Sequence, residues 1–412
     1  MVIAMTVYEE LQWRGLIESI SDPALIDKLN EGGLTFYIGT DPTADSLHLG
    51  HYSSFLITRR LAEAGHHPLI LVGGATGLVG DPRGTVERAL SQKEVVFRNF
   101  EALKAQVQKL FPYPVVNNYD WIKDMNVLDF FRDIGKFINV GYMLSKDHVK
   151  RQMETGISYA EFSYMLIQGY DFKYLHEHMN VDLQVAGSDQ WGNITTGIEL
   201  IRKTTGETVY AMTMPLITDS QGNKFGKSEG NAVWLDKNKT SSYELYQFLL
   251  NAEDVMAVPY LKRLTFLSRE EIEEIERQHN EQPHLRLAQK ALAKEIITDL
   301  HGEGAYEEAV RISEQLFSGD IKSIPPQDLL AGLKNVPHFE IPEGTRLLDA
   351  LKLGGAASSN REGNDFLKAG AVSLNGDIEK DGNVLLTKEN AIDGKFVVIR
   401  RGKKKYYVAT FC

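Results

Sequence analysis

Apolar and polar positions alternate near the start of the chain in a way that predicts a βαβ unit. Residues 34–38 (LTFYI) and 69–73 (LILVG) are short apolar runs bounded by glycine and rich in β-branched and aromatic side chains, which is typical of buried strands. Residues 47–64 between them carry apolar side chains at helical spacing. Two parallel strands joined by a crossover helix predict a doubly wound α/β sheet, to which 183–186 and 210–217 would add strands.

Helical periodicity dominates two long segments. Residues 89–180 are predicted to be mainly helical, and 127–149 within them carries a broad apolar stripe that suits core packing, with a dimer surface as the alternative. Residues 241–317 predict several helices, one of which begins at Ser268 with the capping-box sequence SREE. Four prolines between 318 and 345 predict a linker that holds at most one short helix.

The final part of the chain has a different pattern. A short helical stretch at 361–368 leads into AVSLNGDIEKDGNVLL, in which the pairs Asn375-Gly376 and Asp381-Gly382 predict turns between strands. The chain closes with two further strand candidates, KFVVIRR and KKKYYVATF. We therefore expect a small α+β domain at this end.

Charge is distributed unevenly over the 412 residues, whose formal net charge is −11. Residues 345–412 carry 12 lysines and arginines against 8 acidic residues, whereas the preceding 344 residues carry 33 against 48. A basic end on an acidic body suggests a surface that binds a polyanion. A solvated surface with a lysine tail explains the same counts equally well.

Cysteine content and hydropathy bear on the compartment. The single cysteine, Cys412, excludes an intramolecular disulfide framework and a cysteine-based zinc site, and it fits a reducing compartment. No apolar run is long enough to span a bilayer, and the N-terminus lacks the pattern of a secretory signal. We expect a soluble, cytoplasmic protein with no membrane partner.

Polar residues and glycines follow the first predicted strand, from Tyr37 to His51 (YIGTDPTADSLHLGH). Ligands of open α/β sheets bind beyond the carboxyl ends of the strands, where this junction lies. The next helix is predicted to start near His48, and its backbone N–H groups favour an anion there. His48 and His51 share a face of the first turn, and Gly50 gives a phosphate or a flat ring close access. Two surface histidines are the alternative.

A second cluster, KFGKS at 224–228, follows the turn DSQGN at 219–223. It resembles a phosphate-binding P-loop, but that motif needs a glycine where Gln221 stands and a helix where an extended segment follows, so we reject it. What remains is a glycine-hinged loop in which Lys224 and Lys227 can close over a polyphosphate. A solvated basic loop is the alternative.

Two other kinds of site do not fit the sequence. Residues 73–77 (GGATG) fail the dinucleotide fingerprint, which argues against a nicotinamide cofactor. His176 and His178 have the wrong spacing for two ligands on one helix face, which argues against a structural metal.

The HLGH and KFGKS sequences together resemble the two signatures of class I aminoacyl-tRNA synthetases. Further stretches, VGGATGLVGDP, NNYDW, EFSYMLIQGYDF, GSDQWGN and LIRKTTGE, are similar to the bacterial tyrosyl-tRNA synthetase family. The similarity covers essentially the whole chain, and SSNREGNDFLKAGAVSLNGD resembles S4-type RNA-binding domains. It implies a Rossmann-like doubly wound parallel sheet with a helical insertion, followed by an α-helical domain and a small α+β S4-like domain.

The resemblance also implies domain limits and partners. A catalytic nucleotide-binding domain is expected at 1–235, with the helical insertion at about 110–180 as the dimer surface. A helical anticodon-side domain at 236–320, a linker at 321–344 and the S4-like domain at 345–412 follow. The implied partners are L-tyrosine, ATP with Mg²⁺, tRNA(Tyr) and a second copy of the chain, with no DNA and no metal held by the protein.

The implied reaction has two steps. The tyrosine carboxylate attacks the α-phosphorus of ATP and expels pyrophosphate, and the tyrosyl group then passes to the 3′-terminal ribose of the tRNA. Because the substrate carboxylate is itself the nucleophile, catalysis must come from positioning and from groups that meet the charge on the phosphates.

The family's site residues carry over position by position. The tyrosine site falls on Tyr37, Tyr164, Gln168 and Asp171, with Asp81, Asn118 and Gln190 beside it. The ATP site falls on Gly39, Asp41, Thr43, His48, Gly50, His51, Gly187, Asp189 and Lys227. The implied catalytic residues are Thr43, His48, His51, Lys224, Lys227 and Ser228. For tRNA, the resemblance and the basic end together suggest Arg202, Lys203, Arg400, Arg401, Lys403, Lys404 and Lys405.

The loop after Asp81 departs from the family pattern. It is one residue shorter than in a well-known version of the family, and Thr85 stands where that version has a lysine. Arg83 or Arg88 is expected to take over the role of that lysine toward phosphate or tRNA. Ile38 removes a polar contact that some relatives make to the ribose, which affects the ATP site and leaves the tyrosine site unchanged.

Two other functions are compatible with parts of the sequence. A tryptophanyl enzyme belongs to the same class, but Tyr37 with Asp171 and the S4-like end argue against it. A non-catalytic RNA-binding protein on a synthetase scaffold is the other alternative, and the intact HLGH and KFGKS sequences argue against that.

Overall fold

The structure is a computed structural model that describes residues 5–81, 92–154, 156–228, 231–318, 320–334, 336–402 and 405–412. The chain forms two compact units. The first runs to Asp236 and takes in Ala252–Ala288, and the second holds Lys237–Asn251 and Gln289–Cys412. In the described ranges, no helix is long and apolar enough to cross a membrane.

Short strands and helices of varied length make up both units. The strands are β1 (Ser19–Ile20), β2 (Thr35–Thr40), β3 (His67–Val72), β4 (Val115–Asn117), β5 (Leu183–Gly187), β6 (Tyr210–Met214), β7 (Lys227–Ser228), β8 (Asn231–Ala232), β9 (His338–Ile341), β10 (Thr345–Arg346), β11 (Val372–Leu374), β12 (Asp377–Ile378), β13 (Leu385–Leu386), β14 (Phe396–Arg401) and β15 (Lys405–Phe411). The helices are α1 (Val7–Trp13), α2 (Ala24–Glu31), α3 (Leu49–Glu63), α4 (Thr76–Val79), α5 (Lys93–Leu110), α6 (Tyr119–Ile122), α7 (Val127–Asp133), α8 (Val140–Leu144), α9 (Asp147–Met153), α10 (Tyr159–Met179), α11 (Trp191–Thr205), α12 (Ser242–Leu250), α13 (Asp254–Leu264), α14 (Arg269–Glu281), α15 (Leu287–His301), α16 (Glu303–Ser318), α17 (Pro326–Gly332), α18 (Leu347–Leu353) and α19 (Asn360–Lys368).

The first unit is built on a six-stranded sheet in the order β1-β6-β5-β2-β3-β4. β1 is antiparallel to β6, and the other neighbouring strands are parallel. The chain moves from β2 through α3 to β3 on one side and later places β5 on the other side of β2, so the order reverses there. This confirms the predicted doubly wound sheet, whose crevice lies at the carboxyl ends of β2 and β5.

Alternation along β2 decides which side chains face the crevice. Successive strand residues point to opposite faces, so Tyr37 faces away from its neighbours Phe36 and Ile38. Tyr37 packs in one buried cluster with Phe172 of α10 and Ile194 of α11. Helix α10 forms one wall of the site through Tyr164, Gln168 and Asp171, and α11 packs in the core next to it.

The helical insertion divides its apolar residues between a core and a surface. The predicted stripe is broken into α7, α8 and α9. Its inner members Ile134, Ile138, Met143 and Val149 are buried against α10 and α11. Other apolar side chains of the insertion are exposed, namely Val127, Leu128, Phe131, Val140 and Leu144. The stripe thus forms a core on one side and leaves an apolar surface on the other.

The second unit ends in a five-stranded sheet in the order β12-β11-β14-β15-β9. The predicted turn at Asn375-Gly376 joins β11 to β12, and both residues have positive φ, 49° and 96°. The structure differs from the sequence-based expectation at 338–341, because this piece of the predicted linker forms β9, parallel to β15. Prolines at 337 and 342 flank the strand, which the sheet tolerates because β9 lies at its edge.

Candidate active site

A cavity of about 660 Å³ opens at the carboxyl ends of β2 and β5. It is walled by the loop after β2, the start of α3, helix α10 and the segment after β6. The residues predicted for the tyrosine, ATP and loop sites that line this cavity are Tyr37, Gly39, Asp41, Thr43, His48, Gly50, His51, Tyr164, Gln168, Asp171, Gly187, Asp189, Gln190 and Lys224. Residues scattered along the first unit therefore surround one space.

His48 and His51 close the start of α3 with their own side chains. His48 Nδ1 accepts the N–H of Gly50 at 3.1 Å, and His51 Nδ1 accepts the N–H of His48 at 3.2 Å. The two rings stack with centroids 3.8 Å apart. A neutral imidazole that accepts at Nδ1 carries its proton on Nε2. Each ring therefore has an N–H donor on its far side, next to a helix N-terminus that favours an anion.

Gly50 is required by this arrangement for a reason that the sequence does not show. A Cβ atom at position 50 would lie 2.9 Å from Cε1 of His48 and 3.0 Å from its Nδ1. The missing side chain therefore makes room for the His48 ring, which lies across the first turn of α3.

The lysine loop, residues 215–228, lies against the same helix start. A Cβ atom on Gly226, whose φ is 85°, would approach the backbone nitrogen of Gly50 to 2.9 Å. The segment after the loop is hydrogen-bonded both to the loop and to the start of α3. The N–H of Val233 donates to Gly226 O at 2.7 Å, and the N–H of Leu49 donates to Val233 O at 2.9 Å. The HLGH and KFGKS segments are thus in direct contact.

The structure describes the side chain of Lys224 but only the backbone of Lys227. Lys224 is exposed and lines the cavity. The backbone of Lys227 and Ser228 forms β7, which pairs with β8, and their side chains lie outside the described part of the chain.

Tyr37 and Asp171 place two polar groups in the buried wall of the cavity, and each is 2% exposed. The Tyr37 hydroxyl has no hydrogen-bond partner among the described residues, and burial, then the charge of Asp171, raises its pKa well above the usual value. Asp171 accepts hydrogen bonds from Asn118 Nδ2 at 3.0 Å and Trp121 Nε1 at 2.9 Å. Burial raises the pKa of Asp171 to about 7 in spite of these donors. A ligand hydroxyl placed between the two groups would give each a partner.

Asp41 is the centre of a network that leads to Asp171. It accepts hydrogen bonds from Tyr164 Oη at 2.9 Å and from Thr76 Oγ1 at 2.7 Å. Asn118 Nδ2 contacts Thr76 Oγ1 at 2.9 Å as well as Asp171. The network fixes the orientation of the carboxylates on both sides of the cavity.

A second network joins Asp81 to the amides behind the cavity. Gln190 Nε2 donates to Asp81 Oδ2 at 2.9 Å. Asn193 Nδ2 donates to Gln168 Oε1 at 3.0 Å and lies 3.3 Å from Asp81 Oδ1. A carboxylate and amide oxygens held together in this way are suited to an ammonium group.

Sequence reasoning missed four residues that hold the site together: Thr76, Trp121, Gln184 and Asn193. Gln184 pairs with Tyr37 across β5 and β2, lines the cavity, and has a buried Oε1 with no partner among the described residues. Trp121, Thr76 and Asn193 lie within the quoted motif stretches but are ordinary residue types without spatial context. A glutamine inside the apolar strand LQVA was the available signal.

The predicted acceptor-stem residues lie outside the cavity. Arg202 and Lys203, in the last turn of α11, pair with Glu199 at 2.9 Å and 3.0 Å. Lys203 also donates to Phe137 O at 2.9 Å. Both residues are exposed and belong to the surface between α11 and the insertion.

Three of the five basic residues predicted to bind tRNA at the end of the chain are described, namely Arg400, Arg401 and Lys405. Arg400 Nε donates to Ser373 Oγ at 3.2 Å, and Arg401 Nη1 donates to Ala356 O at 2.6 Å. Lys405 is exposed at the start of β15. Five of the predicted residues lie outside the described residues: Arg83, Thr85, Arg88, Lys403 and Lys404.

Comparisons with known families match both units. The family described as tRNA synthetases class I (W and Y) matches residues 29–318, and the family described as Tyrosine–tRNA ligase SYY-like C-terminal domain matches residues 328–409. A Tyrosine–tRNA ligase of Streptococcus pyogenes is 50% identical over 418 residues, which cover 99% of this chain and 100% of that protein.

Solved structures agree with this match. A C-terminally truncated mitochondrial tyrosyl-tRNA synthetase of Aspergillus nidulans is 33% identical with a TM-score of 0.70, covering 76% of this chain and 95% of that one. The tyrosyl-tRNA synthetase of Archaeoglobus fulgidus, at 18% identity and a TM-score of 0.56 over 74% of this chain and 100% of that one, shares the fold. With both family matches, the full-length identity and the assembled cavity in place, the chain belongs to the tyrosyl-tRNA synthetase family of class I aminoacyl-tRNA synthetases and is a tyrosine–tRNA ligase.

Proposed function

We propose that the cavity at β2 and β5 carries out both tyrosine activation and tyrosyl transfer, with its polar groups divided among three tasks. Tyr37 and Asp171 bind the substrate phenol, and the Asp81 network takes the substrate ammonium group. The lysine loop and the two histidines take the phosphates. The contact between Gly226 and Gly50 carries this proposal, because it puts both phosphate-binding segments beside one helix N-terminus.

Charge develops on the phosphates when the tyrosine carboxylate attacks the α-phosphorus and pyrophosphate leaves. The neutral Nε2–H groups of His48 and His51 can donate hydrogen bonds to this developing charge. The rings need not reorient during the reaction, because each is held by a hydrogen bond to its Nδ1. The lysines of the loop act as point charges on the leaving pyrophosphate. No side chain is needed as a nucleophile.

The remaining predicted residues hold the rest of ATP. Gly39, Thr43, Gly187 and Asp189 line the same cavity, which supports their assignment to the nucleoside part and the α-phosphate side of the nucleotide. We propose that ATP enters as its Mg²⁺ complex. Bound as part of this substrate, the metal would neutralise part of the phosphate charge, while His48, His51 and Lys224 supply N–H donors and a cation from the cavity wall.

Tyrosine binding is expected to strengthen as the pH rises through about 7. The phenol O–H donates best to an ionised Asp171, and burial raises the pKa of this carboxyl to about 7, so the competent form is lost below that pH. Apparent affinity scales with the competent fraction, which predicts a dissociation constant about tenfold higher at pH 6 than at pH 8. Titration calorimetry with tyrosine measures this.

Asp171→Asn is the matched control for that titration. An amide does not ionise, so its tyrosine affinity, weaker overall, is expected to stay level between pH 6 and pH 8. A wild-type dissociation constant that does not change over this range would mean that Asp171 is not the acceptor of the phenol proton.

Tyrosine-dependent exchange between ATP and labelled pyrophosphate tests the proposed activation step. We expect fast exchange with tyrosine, none above background with tryptophan, and exchange with phenylalanine that is about 10⁵-fold less efficient and measurable only at high enzyme concentration. Exchange that depends on tryptophan, or none with any amino acid, would contradict the assignment of the cavity.

We propose that the chain works as a homodimer through the apolar surface of the insertion. Val127, Leu128 and Val140 are 61%, 72% and 59% exposed, and an exposed apolar patch of this kind is typical of an interface. Sedimentation should show a dimer for the chain and a monomer for Leu128→Asp, whereas a dimer in both would place the interface elsewhere.

Both units are proposed to contact tRNA. We assign 236–320 to the anticodon side and 345–412 to RNA backbone contacts, which the net positive charge of the last residues supports. Within 236–320, residues 252–288 belong to the first compact unit. The exposed Arg202 and Lys203 of the first unit are assigned to the acceptor stem. A reducing compartment such as the cytoplasm suits the single cysteine.

A further inference from the structure

Tyr260 of α13 contacts both segments at the base of the lysine loop. Its hydroxyl donates to Thr218 O at 2.8 Å on the incoming segment. Its ring packs against Phe225 on the outgoing segment, with ring centroids 4.5 Å apart. The loop is a hairpin at this point, since the N–H of Phe225 donates to Ile217 O at 3.0 Å. One buried side chain therefore spans the hairpin directly before Gly226.

Two further residues of this region contact the loop on either side of Thr218. Arg263 Nη2 donates to Pro215 O at 2.6 Å, before the hairpin. The N–H of Ser220, in the turn of the hairpin, donates to the carboxylate of Glu253 at 3.2 Å. Positions 253, 260 and 263 are seven and three residues apart, so they share one helix face. This face of α13 is a support for the loop.

Two arginines, one after α1 and one on α3, bind the carboxyl end of α13. Arg14, which follows α1, donates to Lys262 O at 2.9 Å and to Leu267 O at 2.8 Å. Arg60 of α3 donates to Thr265 O and is 8% exposed. Cations at these carbonyls are favoured by the helix dipole. Helix α3 thus carries His48 at one end and holds α13, through Arg60, near the other.

We infer that Tyr260 is a positioning residue for the reaction, which sets the lysine loop against the start of α3 so that the loop lysines meet the departing pyrophosphate. Tyr260 does not line the cavity and acts through the loop alone. Burial raises its pKa to about 12, which keeps its hydroxyl protonated as the donor to Thr218. This inference rests on the proposed role of the loop lysines and goes beyond it, because it names what sets their position.

Tyr260→Phe tests the inference, since it removes the hydrogen bond to Thr218 and keeps the ring against Phe225. We expect single-turnover adenylate formation to slow by about tenfold, as a small misplacement of a catalytic group does, with the dissociation constants of tyrosine and ATP within about twofold of the wild type. Tyr246→Phe on α12, a buried tyrosine outside the first unit, is the control and should leave the rate unchanged.

Repeating Tyr260→Phe in a variant without the loop lysines separates a positioning role from a general effect on folding. If Tyr260 acts through the loop lysines, Tyr260→Phe should slow the variant that carries Lys224→Ala and Lys227→Ala by less than about twofold, because effects of residues that work as a unit are not additive. Equal slowing in both backgrounds, unchanged rates in the wild-type background, or a loss of tyrosine affinity would overturn the inference. If the lysine changes themselves leave the rate intact, the proposed role of the loop fails instead.

Discussion

Replacing Asp171 by asparagine is expected to lower kcat/KM for tyrosine activation by about 10²–10³-fold while phenylalanine changes by less than about tenfold. The carboxylate accepts N–H groups from Asn118 and Trp121 and has Tyr37 beside it. An asparagine has one acceptor oxygen, so its NH₂ must face one of these donors, and the site for the substrate hydroxyl is lost. Exchange kinetics with each amino acid measure the two constants.

The physical reason is that a dry site built for a hydroxyl rejects a ligand without one. Phenylalanine would leave the Tyr37 hydroxyl and Asp171 without a partner, and tyrosyl-tRNA synthetases are the standard example of this effect, at about 10⁵-fold without editing. Tyr37→Phe, which keeps the ring in the core, is the milder companion change and should reduce the preference by about tenfold. Equal losses for both amino acids in Asp171→Asn would show that the residue supports the fold and does not select the substrate.

Replacing Lys227 by alanine is expected to raise the barrier to adenylate formation by about 2–4 kcal/mol, the range for a donor that acts in the transition state. ATP affinity should change by less than about threefold, because the lysine meets charge that appears only as pyrophosphate leaves. Single-turnover formation of the adenylate at varied ATP concentration gives the rate constant and the dissociation constant separately.

Lys237→Ala is the matched control for that change, since it removes an exposed lysine that lies shortly after the loop. Its rate should equal that of the wild type. An effect of Lys227→Ala confined to ATP affinity would assign the lysine to ground-state binding and remove it from the catalytic step.

Much of the fold was predictable because strong periodic signals agreed with the packing. The apolar runs at 34–38 and 69–73 became β2 and β3, and SREE at Ser268 formed the expected capping box. Strand β9 was missed because prolines flank it, and prolines mark an edge strand and a linker alike. Its pairing with β15 depends on a contact between segments far apart in sequence.

The residues that line the site were predictable from motifs and from the family resemblance. The residues that hold them in position were not. His48 caps α3 with a ring nitrogen, a role that capping rules give to serine, threonine, aspartate or asparagine. Gln184 and Asn193 take part only because β5 and α11 bring them next to Tyr37 and Asp81. Tyr260 lies in a helix whose sequence shows only amphipathic spacing. Such contacts depend on tertiary packing, which no local pattern encodes.

The histidine pair and the lysine loop are proposed to meet at one ATP molecule, and a crystal structure with tyrosinol and a non-hydrolysable ATP analogue tests this. We expect phosphate oxygens of a single nucleotide within hydrogen-bond distance of Nε2 of His48 or His51 and of Nζ of Lys224 or Lys227. Phosphates bound away from the start of α3, or lysines turned from the nucleotide in every copy, would contradict it.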